Sequence, residues 1–353
     1  MSRAGKILIY GATGYTGKLT ARTAKTQGLR PILAGRSESK VRPLAEELGL
    51  EWRAFDLADT EKLDRALNEV AAVLHIAGPF SATSRPMADA CIRTKTHYLD
   101  ITGEIAVFEA LAARDAEAKR AGVMLLPGVG FDVVPSDCLA AHLKRHLPDA
   151  EDLKLYIGGL GKASRGTLKT MVEGIAKGTL ARRNGDIEQL EGMHEDLIDF
   201  GQGPRPTAAV SWGDVATAFH STKIPNIEVH FEVTLEMKGM LKTPTFVKMF
   251  LGLSFMQSIL KSQIDKRPEG PTDEERRTGY AVLIGVARNA KGETVRTRLK
   301  TPEGYSLTAL TGLDIAKRAA NGEAKPGFQT PSLAFGADYV TQFPGVTREE
   351  LNA

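Results

Sequence analysis

Short apolar runs recur through the first third of the chain, at 7–10, 32–34, 52–55, 73–76, 98–101 and 123–126. Amphipathic stretches separate them, for example 60–70 and 105–120, where apolar residues return every three or four positions. A run of three or four apolar residues is the mark of a strand buried on both faces, and the longer period is that of a helix. Their alternation predicts a parallel sheet with helices on both sides, and six strands is the count of a doubly wound dinucleotide-binding fold. Asp59 before Thr60 and Ser37 before Glu38 stand where helix starts want an acceptor for free backbone N–H groups. After Leu126 the texture changes. A glycine-rich turn at 127–132 leads into an amphipathic stretch at 135–147. Residues 153–300 read as a mixed domain, with strands at 153–157, 228–235, 280–288 and 293–299 and helices at 168–182 and 246–261. Asn289-Ala290-Lys291-Gly292 predicts a hairpin turn, and a last helix at 307–320 ends on Asn321-Gly322.

At 353 residues the chain is long enough for two domains, each with its own core. The 46 basic residues nearly balance the 43 acidic ones, for a net charge of +3, which argues against a nucleic-acid partner. Cys91 and Cys138 form no CxxC and no metal spacing, as in a reducing compartment, so a soluble, cytoplasmic chain is expected. Residues 1–6 run straight into the first strand and leave no room for a signal peptide. The most apolar stretch, 246–260, is 15 residues long and too short to span a bilayer. It is apolar nearly all round, the pattern of a core helix or of a subunit interface in a homodimer. Its Phe and Met residues would equally suit the wall of an acyl or lipid-like pocket; docking on a membrane surface is the less favoured reading.

Chemistry concentrates at the strand ends. Gly11-Ala12-Thr13-Gly14-Tyr15-Thr16-Gly17 follows the first strand and opens a helix at 15–27. Small residues let the chain turn sharply and let a pyrophosphate approach the backbone at the helix N-terminus. The second strand ends in Gly35-Arg36-Ser37, with no acid at its tip. A free ribose 2′-hydroxyl wants a carboxylate there, whereas Arg36 and Ser37 suit a 2′-phosphate, so NADP(H) is the expected cofactor. Asp56, at the third strand end, is placed either for the adenine amino group or as a turn residue. Gly78-Pro79-Phe80 follows the fourth strand, where backbone would approach the nicotinamide ribose and Phe80 would wall the ring. Tyr98, Asp100 and Glu104 at the fifth strand end and Asp132 after the sixth are the candidates for moving a proton. Asp100 and Glu104 also fit a purely architectural role as caps and turn acceptors. No tyrosine has a lysine four residues on, which argues against the alcohol-dehydrogenase pair of that spacing. His142 and His146 are four apart, but with no third ligand evident they read as a basic, exposed helix face, and no metal is expected.

Together these segments resemble the saccharopine dehydrogenase-like oxidoreductases. The matching pieces are 11–17, Ala34-Gly35-Arg36, Gly78-Pro79-Phe80, 98–104, Gly130-Phe131-Asp132 with Pro135-Ser136-Asp137, and the tail segments 327–331 and 334–336. Within that group the chain is more similar to the branch described as trans-acting enoyl reductases than to the lysine-pathway enzyme. The resemblance implies an α/β protein: a doubly wound Rossmann domain at 1–130, a second α/β domain with a mixed sheet at 131–302, and a segment, 303–353, packing back on the first domain. It implies an NADPH-dependent reductase acting on an enoyl or imine group of a small or acyl substrate. Two other readings stay open: a saccharopine- or opine-type amine dehydrogenase, for which Arg165, Arg182 and Arg183 are available to hold carboxylates, and a non-catalytic NADP(H)-sensing or partner-binding protein.

Overall fold

In the computed structural model, residues 3–174, 178–233 and 253–352 are described, and they fall into two units. The first comprises Met1–Val134 and Tyr305–Tyr339, the second Pro135–Gly304 and Val340–Ala353.

The first unit alternates as its hydrophobic pattern dictates. Its elements are β1 (Ile7–Tyr10), α1 (Tyr15–Thr26), β2 (Ile32–Gly35), α2 (Glu38–Leu48), β3 (Trp52–Ala54), α3 (Thr60–Leu67), β4 (Ala72–His75), α4 (Phe80–Thr94), β5 (His97–Asp100), α5 (Ile105–Ala112), α6 (Asp115–Ala121) and β6 (Met124–Leu126). The strands lie in the order β6-β5-β4-β1-β2-β3, and every pairing is parallel. β1, β2, β4 and β6 are buried along their whole length, because helices cover both faces. Asp59 caps α3 by accepting from Lys62 N at 3.1 Å. Ser37 does not cap α2 in this way; its hydroxyl meets Ser39 Oγ at 2.9 Å instead. The helix expected at 105–120 is two helices, broken at Ala113-Arg114, where Arg114 pairs with Asp89 and Glu117.

α7 (Val134–His146) leads to the second unit, built on β7 (Ala150–Gly158), α8 (Arg165–Gly174), β8 (Leu180–Arg183), β9 (Asp186–Gln189), β10 (Glu195–Asp199), β11 (Pro204–Ala209), α9 (Asp214–Thr222), β12 (Asn226–Glu232), α10 (Ser254–Ile264), α11 (Asp273–Thr278), β13 (Tyr280–Asn289) and β14 (Thr294–Pro302). Its sheet is mixed: β12 and β7 are parallel, with Val229 opposite Leu155, while β7–β13 and β13–β14 are antiparallel. α7 lies against this sheet at Gly285, where a Cβ would stand 2.5 Å from Leu143 Cδ1, so glycine permits the close approach. Of the helix expected over 168–182, residues 168–174 lie in α8 and 180–182 in β8, which follows Gly178 with its φ of +69°; 175–177 lie outside the described residues. Of the apolar stretch 246–260, residues 246–252 lie outside the described residues. The remainder, in and beside α10, is not buried all round: Leu253, Phe255 and Ile259 are each about half exposed.

The last segment divides. α12 (Gly304–Arg318), β15 (Gly327–Phe328) and α13 (Pro331–Phe335) accompany the first unit, with β15 extending its sheet beside β6. β16 (Thr347–Leu351) instead pairs with β14 of the second unit, so the chain from Val340 onward does not share the place expected for the whole of 303–353. Among the described residues no helix is long and apolar enough to cross a membrane.

Candidate active site

Because all strands of the first sheet run in one direction, every β-to-α turn of that unit opens on the same edge. That edge collects the residues singled out from the sequence. Gly11, Thr13, Gly14, Tyr15, Thr16 and Gly17 form the β1–α1 turn; Gly35, Arg36 and Ser37 end β2; Asp56 follows β3; Gly78, Pro79 and Phe80 follow β4; Tyr98, Asp100 and Glu104 lie at β5; Asp132 follows β6.

The three glycines of the first turn serve different ends. Gly11 has φ +88°, and a Cβ there would lie 2.7 Å from Ala77 N, at the end of neighbouring β4. At Gly17 a Cβ would come within 2.2 Å of Gly11 O, so this glycine lets α1 close on the turn. Gly14 is exposed, and a Cβ there would meet nothing nearer than Gly11 O at 3.6 Å. The first two glycines are required by the protein's own packing; the third leaves space at the mouth of α1. That helix starts without a side-chain cap and without an acid in its first turn, so its positive end faces outward uncompensated. This is the arrangement a diphosphate requires, and the residues fit a dinucleotide.

At the adjoining strand ends, the Tyr10 hydroxyl donates to Phe55 O at 3.1 Å. Burial pushes the phenol up to about 12; the nearby Asp56 charge adds to this and Arg36 opposes it. Arg36 and Asp56 therefore both lie within electrostatic reach of Tyr10. Arg36 is exposed and, among the described residues, makes no ion pair. Asp56 Oδ1 accepts from Ala58 N at 2.9 Å, the bond of a turn residue.

The β4 and β5 ends are tied together by carboxylates. α4 begins at Pro79, which offers no side-chain acceptor. Glu104 supplies one from the next loop, accepting from Phe80 N at 2.8 Å and Ser81 N at 3.0 Å. Replacing Glu104 by Ala is expected to cost about 1–2 kcal/mol of stability, the worth of a lost helix cap, read as a lower urea midpoint at unchanged slope. Asp100 has no exposed surface. Its Oδ1 accepts from Thr102 N (2.9 Å) and Gly128 N (3.0 Å), and its Oδ2 from the Tyr98 hydroxyl (2.5 Å). Burial raises Asp100 to about 6, against the three hydrogen bonds that favour its charge. Tyr98 is equally buried.

The loop between β6 and α7 is clamped on two sides. Asp100 binds it through Gly128, and Val129 N donates to Asp100 O at 2.7 Å. From α12, Thr308 Oγ1 accepts from Phe131 N at 2.9 Å and Thr311 Oγ1 donates to Val129 O at 2.7 Å. Asp132 sits on this loop, half-buried, and a Cβ at Gly103 would stand 3.1 Å from its Oδ2. Burial pushes Asp132 up to about 7.

Several parts of this edge were not foreseen from the sequence. His75 at the end of β4 is fully buried, its Nε2 3.0 Å from Thr83 Oγ1, and its ring packs edge-on against Phe80. Burial pushes it down to about 3, so it is neutral. Tyr305 meets Tyr15 edge-to-face at 5.1 Å. Thr308 and Thr311 are 177 and 182 residues from their partners, and no local pattern marks such a contact.

A parallel sheet ordered 3-2-1-4-5-6, with a glycine turn after its first strand, defines a dinucleotide-binding α/β unit. Residues 7–126 match the saccharopine dehydrogenase NADP binding domain family, a match that covers this domain and about a third of the chain. The "Trans-acting enoyl reductase" of Mycobacterium leprae is 33% identical over 149 residues, 40% of this chain and 36% of that protein. Its counterpart in Mycobacterium ulcerans is 30% identical over 155 residues, 42% of this chain and 37% of that protein. The aligned part thus spans little more than a third of these curated relatives. Over 98% of the chain the fold is similar to saccharopine dehydrogenase (L-Glu forming) of Saccharomyces cerevisiae, all of which is covered, with a TM-score of 0.65 at 15% identity.

Proposed function

We propose that the protein is an NADPH-dependent reductase that saturates an enoyl C=C or an imine C=N bond of a small or acyl substrate. The observation that carries this reading is Asp132: a half-buried carboxyl at the open edge of an NADP-binding domain, held near neutrality by burial. NADPH, when bound, supplies a hydride. The 11–17 turn binds the diphosphate, Arg36 and Ser37 the 2′-phosphate, Gly78 and Pro79 bring backbone to the nicotinamide ribose, and Phe80 walls the ring. Asp132, protonated near pH 7, gives its proton to the atom beside the carbon that accepts the hydride and is reprotonated from water. Tyr98, Asp100, Thr308 and Thr311 are positioning residues for the loop that carries it. Glu104 fixes the start of α4 beside Phe80.

The name of the mycobacterial relatives favours the enoyl substrate. The arginines that an amine-dehydrogenase reading would use are already engaged. Arg182 binds Val215 O and Gly185 O, Arg183 pairs with Glu228, and Arg165 binds Arg267 O. Both cysteines are buried and outside any disulfide, which suits a reducing cytoplasm. The test is the initial rate of NADPH oxidation across enoyl thioesters, enones and 2-oxo acid plus amine mixtures. Turnover with an enoyl thioester is the expected result; tight NADPH binding with no turnover across the panel would make the protein a cofactor sensor instead.

A further inference from the structure

The pair His142 and His146 finds in the fold the third group that the sequence did not reveal. His142 is not on an exposed face: its side chain is 4% exposed. Glu350, on β16, reaches it from 208 residues away, accepting from His142 Nε2 at 2.5 Å. His146, one helical turn on, holds its ring centroid 4.3 Å from that of His142, with the two planes tilted by 48°. One ligand atom from each of the three lies within 4.8 Å of the others, the only such group of His, Cys, Asp or Glu among the described residues. A tetrahedral ion with bonds of about 2.0–2.2 Å separates its ligand atoms by about 3.3 Å, within the range this cluster spans.

The surrounding contacts prepare two of the three groups. His146 Nδ1 donates to His142 O at 2.9 Å, which leaves the lone pair on Nε2. Thr297 Oγ1 donates to Glu350 Oε2 at 2.7 Å, which orients the carboxylate and leaves Oε1 for a ligand role. The geometry points to a divalent transition-metal site, of the zinc class, formed by His142, His146 and Glu350 and joining α7 to the C-terminal strand β16. Three protein ligands leave the fourth position to water. On binding, His142 changes tautomer: the proton on Nε2 leaves to solvent and one from solvent is taken up on Nδ1, so the ring stays neutral with no net proton release.

Two cations face the cluster. Arg145 Nη2 donates to His142 Nδ1 at 3.0 Å, and Arg348 acts on His142 through space. A metal-bound His142 must carry its proton on Nδ1, so Arg145 has to turn away. Arg145 therefore opposes the ion, and its removal should strengthen binding, the reverse of what a merely structural arginine would do.

The test is calorimetric titration of Zn²⁺ into the untagged, EDTA-stripped full chain. One ion per chain is expected. His146→Ala and Glu350→Gln, both at exposed positions, each weaken binding by about tenfold or more, while Arg145→Gln tightens it. Hydrogen exchange over 347–351 slows with Zn²⁺ in the wild type and not in His146→Ala. Absence of binding, or binding that His146→Ala and Glu350→Gln leave unchanged, would overturn the assignment and leave His142 and Glu350 as a hydrogen-bonded pair only.

Discussion

Asp132→Asn is expected to lower kcat/KM for NADPH-dependent reduction by about 100- to 10,000-fold, the usual worth of a positioned general acid, with NADPH affinity unchanged. The amide keeps the size of the side chain and its place beside Gly103, but it has no proton to give. Burial pushes Asp132 up to about 7. An acid must be protonated to act, so wild-type kcat/KM is expected to be level below pH 7 and to fall above it. The variant should lack that limb. The same shift has a consequence for stability. The folded carboxyl binds its proton more tightly than the unfolded one, whose pKa is about 3.9. Its contribution is therefore fully present below about pH 4 and is lost as pH rises through 7. Urea unfolding should show Asp132→Asn gaining on the wild type between pH 4.5 and pH 8. A variant that keeps both its rate and the alkaline limb would remove Asp132 from the chemistry.

Arg36→Asp is expected to weaken NADPH by about 100-fold or more. A hydrogen bond to a charged group is worth about 1.5–3 kcal/mol, each 1.4 kcal/mol is tenfold, and the new carboxylate adds repulsion against the 2′-phosphate. NADH lacks that phosphate and gains an acceptor for its ribose hydroxyl, so its affinity should hold or improve. Because Arg36 is exposed and makes no ion pair among the described residues, its loss should leave the unfolding midpoint nearly unmoved. Fluorescence titration of both cofactors against both proteins reads the ratio directly. Equal losses for NADPH and NADH would mean that Arg36 supports the turn rather than the phosphate.

The first unit was legible because its strands are buried on both faces and so appear as uninterrupted apolar runs; β1 at 7–10 is the clearest case. Gly11 and Gly17 could be recognised for the same reason, since a strand that ends in a tight turn leaves no room for a Cβ. The second unit resisted. β9 (Asp-Ile-Glu-Gln) and β16 (Thr-Arg-Glu-Glu-Leu) carry charges on largely exposed edges, and β11, between β10 and β12, holds Pro204 and Pro206 in its exposed half. What makes β16 a strand is its partner: Arg298 pairs with Glu349 across β14. Site positions followed from strand ends, but roles did not. For Glu104 and Asp100 the sequence leaves open a proton-moving or an architectural role; the structure adds the two bonds of Glu104 to α4 and the three hydrogen bonds of Asp100. His142 reads as solvent-facing until β16 arrives against it. Each involves a distant partner that no local pattern marks: Phe80 and Ser81 for Glu104, Gly128 for Asp100 and Glu350 for His142.

The proposed function requires that the turn at 11–17 and the tip of β2 hold a dinucleotide carrying a 2′-phosphate. Calorimetric titration of NADPH and of NADH into the full chain tests it most directly. One NADPH per chain, bound about tenfold or more tightly than NADH, is the predicted result. No binding of either, or equal affinity for the two, would contradict it.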